Sequence, residues 1–307
     1  MNWLSIFRFE VAYRRKRPAT YLFFGLLLAV AVLIGTTEVI KVFGSAGAVK
    51  DNATLTIAKA SLTVFLLSGC FMASAIMGVA VVRDFEHRTD ALFFTKPIRR
   101  WEYLLGRYAG SMLVLLLTLT AIPLGLMGSE LAPWRDADRL LPFRAMTYWH
   151  PYLMLLVPNA LIVGTMFFAV GALSRRMLVV FTQGMAFLML YLISGTLLGQ
   201  LERRELAALL DPFGLRASGY VSQYWSIAQQ NNDLLPLTGP LGWNRLCWLA
   251  VAVLTLLGTL RFFTVRMPGR RTTRQRPENA ASAAAVGTGA VRRAHPRLGR
   301  GERGDRR

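Results

Sequence analysis

The sequence contains no glycine-rich phosphate loop of the form GxxxxGK[ST], so any ATP used with this protein belongs to a separate chain. It also has neither HExxH nor GxSxG, the spacings that place a zinc-bound water or a nucleophilic serine. Its three histidines, His87, His150 and His295, are far apart and make no ligand set. Cysteine is nearly absent: Cys70 and Cys247 stand alone in separate apolar runs, without metal spacing, and suit small packing residues. Acids are scarce as well, with 17 Asp and Glu against 36 Lys and Arg, a net charge of +19. No Asp, Glu, Lys or Arg falls near the centre of an apolar run, which argues against a proton-coupled secondary transporter or an ion-relay pump. No catalytic activity, cofactor or metal is therefore expected on the chain itself.

What the sequence has in abundance is apolar length. It is 54% hydrophobic with a mean hydropathy of +0.39, so apolar and basic residues must be segregated along it. A helix needs about twenty apolar residues to cross a bilayer core of ~30 Å. Six runs qualify: Tyr21–Ile40, Ile57–Val82, Tyr108–Met127, Tyr152–Leu173, Met177–Gly199 and Leu246–Phe263. The fold class expected is all-α, a polytopic membrane protein of six transmembrane helices spanning residues 21–265. Cytoplasmic loops gather Lys and Arg. Residues 1–20, 83–107 and 174–176 hold thirteen in 48 residues, whereas 38–59, 128–150 and 200–245 hold ten in 91. That asymmetry puts both termini and the 83–107 loop in the cytoplasm.

The 83–107 loop, RDFEHRTDALFFTKPIRRWEYLLGR, is the most informative stretch. Asp84 and Arg88 have the spacing of a helical i,i+4 ion pair. Pro97 must end any helix that precedes it, because it has no N–H and restricts the residue before it. Beyond it Ile98, Trp101, Leu104 or Leu105 and Tyr108 make one apolar helical face, from which Arg99, Arg100 and Glu102 fall away. A polar elbow between two spans is a docking surface for a soluble partner or an ordinary solvated loop. The stretch resembles the signature loop of ABC-2 type permeases, the membrane subunits of a class of ATP-driven exporters. The resemblance is carried by Arg83-Asp84, Glu86, Thr89, Leu92, Phe93, Pro97, Arg99, Arg100 and Gly106-Arg107, with one departure: Arg88 stands where Gly is usual. It implies that this loop carries a coupling helix seated in a groove of a separate ATPase subunit, and that a second permease copy, identical or not, completes the path. A bacterial-type inner membrane is the expected location.

Residues 1–20 are expected to form an amphipathic helix at the cytoplasmic interface, with Trp3, Leu4, Phe7 and Val11 on its apolar face and Arg14–Arg17 near lipid phosphates. The resemblance makes it a second contact with the ATPase. Within the spans, Pro158, Asn159 and Gln183 either line a substrate path or form interhelical hydrogen bonds. The GxxxG pair Gly106/Gly110 is read as packing. In the large loop before the last span, Asp211–Gly214 (DPFG) and Asn244-Arg245 resemble a permease subgroup in which such a half precedes an aminopeptidase-like domain. The alternative function is accordingly a membrane anchor or scaffold, or the N-terminal portion of a larger permease–peptidase. Residues 266–307 carry twelve Arg and three acids with almost nothing apolar, so a disordered basic tail is expected. It suits anionic lipid or nonspecific nucleic-acid backbone, or is translation past a frame disruption. No aromatic residue is interleaved, so no specific nucleic-acid partner is implied.

Overall fold

A computed structural model describes residues 3–37, 48–86, 99–198 and 204–264. Among them there is helix and no strand. The elements are α1 (Trp3–Arg15), α2 (Pro18–Thr36), α3 (Thr54–Glu86), α4 (Arg100–Leu131), α5 (Ala145–Ser174), α6 (Met177–Leu198), α7 (Arg204–Leu210), α8 (Leu215–Val221), α9 (Ile227–Asn232) and α10 (Gly239–Phe262). Six of these, α2 to α6 and α10, are long and apolar enough to cross a membrane. They coincide with the six runs read from sequence, but several begin or end in polar residues that hydropathy excludes. The described stem of the 83–107 loop belongs to two of these helices. Its first residues continue α3 and its last open α4, because polar residues propagate a helix as readily as apolar ones once it is nucleated.

Burial divides the spans into two sets. α3, α4 and α5 are 72%, 67% and 61% buried over their most apolar windows, whereas α2, α6 and α10 are each 17% buried. The outer three turn large apolar side chains outward, among them Leu22, Leu178 and Leu254. Such a surface is costly in water and natural against lipid tails, where backbone polar groups must be satisfied within the helix.

Hydrophobic exclusion does not press helices together in lipid, so close packing of small residues takes its place. A Cβ on Gly171 of α5 would lie 2.2 Å from the Gly78 carbonyl oxygen of α3, an approach that excludes any side chain at 171. α3 relaxes into π-turns at Phe65–Gly69 and Ser74–Gly78, and α5 does so at Tyr152–Leu156. α4 is interrupted at Thr120, three residues before Pro123, whose missing N–H breaks the ladder there. The Thr120 hydroxyl donates to the Leu117 carbonyl at 2.7 Å within the interrupted turn.

Candidate functional site: a buried charge cluster at the stem of the loop

α1 lies along the first turns of α4. Gly106 and Gly110 form its seat: a Cβ at Gly106 would be 2.7 Å from Ile6 Cβ and 2.8 Å from the Trp3 carbonyl oxygen, and one at Gly110 would be 2.8 Å from Glu10 Cβ. The GxxxG pair is therefore a packing device, as its spacing implied, and its partner is the N-terminal helix.

This close approach buries the polar side of α1. The inward face of α1 is Ile6, Glu10 and Arg14, so Arg14 is buried rather than left beside lipid phosphates, while Trp3 and Leu4 of the expected apolar face are exposed and Phe7 and Val11 half-buried. The reason is that α1 meets charges rather than a core. Glu10, fully buried, accepts from Arg14 Nε at 2.6 Å, from Arg83 Nη2 at 3.1 Å and from Arg107. Asp84 on α3 takes Arg107 Nη2 at 2.6 Å and the Tyr103 hydroxyl at 2.6 Å, with Arg83 Nε at 3.9 Å. Arg14 also donates to Ser111 at 3.1 Å and to the Ile76 carbonyl, inside the second π-turn of α3, at 2.7 Å. Two carboxylates and three guanidinium groups thus join α1, α3 and α4. Burial opposes ionisation of Glu10, but Arg14, Arg107 and Arg83 outweigh it and hold the carboxyl below its usual range.

The margin of the cluster is aromatic. Phe263, at the end of α10, stacks on Tyr103 with ring centroids 6.2 Å apart and meets Phe85 edge-on at 6.3 Å. The Arg175 guanidinium sits 4.1 Å above the Phe85 ring and donates to the Thr264 carbonyl. Arg175 itself occupies the left-handed region (φ 55°), which lets the chain turn sharply from α5 toward α6. The ends of α3, α5 and α10 and the start of α4 therefore meet α1 at one end of the bundle.

Of the residues assigned to coupling from sequence, Arg83 and Asp84 lie inside this cluster and Glu86, Arg99 and Arg100 are exposed at its edge. Arg88, Thr89, Leu92, Phe93 and Pro97 lie outside the described residues. Asp84 pairs with Arg107 on α4, and Arg88, its expected partner one turn along, lies outside the described residues. Trp101, expected on the apolar face, is 43% exposed, whereas Leu104 of that face is fully buried and Tyr108 half-buried, with Tyr103 and Arg107 buried beside them. Glu102 turns back to accept from the Arg99 N–H at 3.0 Å, satisfying a donor at the start of α4. Sequence reading missed Glu10, Arg14, Tyr103 and Ser111 as members. The available signal was the i,i+4 spacing of Glu10 and Arg14.

A second polar cluster occupies the other end. Asn159 is fully buried, donates to the Phe213 carbonyl at 2.8 Å and accepts from Arg245. Asn244 donates to the carbonyls of Ala208 at 2.6 Å and Asp211 at 2.8 Å. Asp211 accepts from the N–H groups of Phe213 at 2.9 Å and Arg216 at 2.6 Å. Burial pushes the Asp211 carboxyl up, against those hydrogen bonds and the nearby Arg245. Gly214 has φ 79°, and a Cβ there would be 2.8 Å from the Arg245 guanidinium. The DPFG and Asn244-Arg245 segments are thus one unit, and Arg245, placed in a loop by hydropathy, lies inside α10. Asn159 forms the interhelical bonds that were one of its two readings. Pro158 beside it is half-buried, and Gln183 holds a buried side-chain oxygen that has no hydrogen-bond partner among the described residues.

No family model matches the chain, and no curated protein matches it in sequence.

Proposed function

We propose that this chain is the membrane-spanning permease subunit of an ABC-2 type exporter. A separate ATPase subunit docks on the 83–107 loop and hydrolyses ATP, and a second permease copy faces this one across the path. Both termini and the loop are cytoplasmic in this reading, in a bacterial-type inner membrane. Six helices of spanning length and the distribution of Lys and Arg support the layout. The observation that carries the coupling role is the Glu10–Arg107–Asp84 bridge. It ties both described ends of the loop to one another and to α1, so displacement of the loop acts on α1, α3 and α4 as one body.

Buried ion pairs of this kind rarely stabilise more than apolar residues of equal volume would, because desolvation costs several kcal/mol per ion. Their use is geometric: only one docking of the three helices satisfies every charge. A rigid base is what a lever needs. Gln183 and Pro158 are the path-lining residues of this proposal, and Asn159 acts as a clamp.

A second reading, the N-terminal portion of a permease–peptidase or a membrane scaffold, draws support from the convergence of Asp211–Gly214 and Asn244-Arg245 on Asn159. Crosslinking in native membranes separates the two. Cysteines at Arg99 or Arg88, in a chain whose Cys70 and Cys247 are replaced by Ala, should capture a P-loop ATPase, and ATP should weaken the capture. Recovery of only lipid-facing neighbours or a peptidase domain would sink the exporter reading.

A further inference from the structure

At the end of the bundle opposite the charge cluster, a cavity of about 170 Å³ opens between the starts of α3 and α5 and the segment that links α4 to α5. Its lining includes Asn52, Glu130, Arg144, Thr147, Tyr148 and Asn231. The Glu130 carboxylate is oriented by neutral donors alone: Oε1 accepts from Asn52 Nδ2 at 2.8 Å and from the Tyr148 hydroxyl. Asn52 is fixed in turn, donating to the Leu141 carbonyl at 2.8 Å and accepting from the Leu141 N–H at 2.7 Å. Among the described residues Glu130 has no ion-pair partner, since the neighbouring arginines Arg135 and Arg139 are taken by Asp51 at 3.5 and 3.1 Å. Arg144, also on the lining, makes neither an ion pair nor a side-chain hydrogen bond among the described residues.

One concavity is therefore lined both by Glu130, with its oriented carboxylate, and by the exposed Arg144, and no ion pair joins the two among the described residues. Charge-assisted hydrogen bonds to both would be among the strongest available to a ligand of complementary charge. An apolar cavity of ~150 Å³ holds a benzene ring, so this one takes roughly six to eight non-hydrogen atoms. We propose that the cavity binds a small zwitterion of α-amino-acid size, its ammonium on Glu130 and its carboxylate on Arg144. The proposal rests on the cavity alone and stands apart from the exporter reading.

The test is calorimetric titration of the full chain in phosphatidylglycerol nanodiscs with L-serine, ethanolamine and glycolate. Saturable binding of L-serine is expected, weakened at least tenfold by Glu130→Gln and by Arg144→Gln. Ethanolamine should respond only to the first substitution and glycolate only to the second. Arg144 is exposed and holds no partner, so its variant should fold even if Glu130→Gln disturbs Tyr148. A phosphoethanolamine headgroup offers the same two charges. Adding phosphatidylethanolamine to the nanodisc lowers the apparent affinity for L-serine if the lipid is the occupant and leaves it unchanged if the ligand is free in solution. Absence of saturable L-serine binding, or binding indifferent to Arg144→Gln, would overturn the proposal.

Discussion

Replacing Arg107 with Met is the sharpest test of the charge cluster. Methionine keeps an unbranched stem of similar reach but removes the group that bridges Glu10 and Asp84. Breaking a buried pair by removing one partner costs about 3–5 kcal/mol, because the other charge stays buried. Glu10 retains Arg14 at 2.6 Å and Arg83 at 3.1 Å, whereas Asp84 retains the Tyr103 hydroxyl and an Arg83 nitrogen at 3.9 Å. The lower end, about 3 kcal/mol, is therefore expected. At ~1.4 kcal/mol per decade that is a change of roughly a hundredfold in the docking equilibrium of α1. Amide hydrogen exchange in nanodiscs reads it directly. Protection along Trp3–Arg15 should fall about a hundredfold while the centres of α3 and α5 change little. Adding Glu10→Gln to Arg107→Met should cost less than the sum of the two single changes, because the same interaction is removed twice. Protection of α1 that changes less than tenfold, or strict additivity in the double variant, would refute the account of the cluster as the attachment of α1.

Gly106→Val places carbon within 3 Å of Ile6 and the Trp3 carbonyl and should displace α1 at a cost of about 1–3 kcal/mol, seen as faster tryptic cleavage near Arg8. Glu10 titrates below its ordinary value of 4.5, so its contribution is complete above that value and is lost as pH falls through the lower folded value. Exchange of α1, after correction for intrinsic rates, should thus be slow above that ordinary value and accelerate as pH falls below it. Asn159→Leu leaves the Phe213 carbonyl without its Asn159 donor and removes one of the acceptors of the Arg245 guanidinium. A loss of about 1–3 kcal/mol in thermal stability is expected, centred on Asp211–Gly214 and the start of α10.

The sequence by itself determined the helical class and six apolar lengths, because about twenty apolar residues with few charges suffice to span a bilayer whatever they pack against. It also determined that Gly106 and Gly110 are a packing pair, since small residues four apart leave a groove on any helix. It did not determine what fills that groove. Periodicity reports which residues share a face, and on α1 it marked Trp3, Leu4, Phe7 and Val11 because they are apolar. The face that is buried holds Glu10 and Arg14, and burying them is tolerable only where Arg83, Arg107 and Ser111 arrive from two other helices. The same holds for Asp84, which receives Arg107 from 23 positions away on α4, and for Arg245, which sits inside a helix because Asn159 and Asn244 receive it. Charges are read from sequence as solvated by default. Only the tertiary structure could decide that these are buried, since burial of a charge depends on partners that lie far apart in the chain.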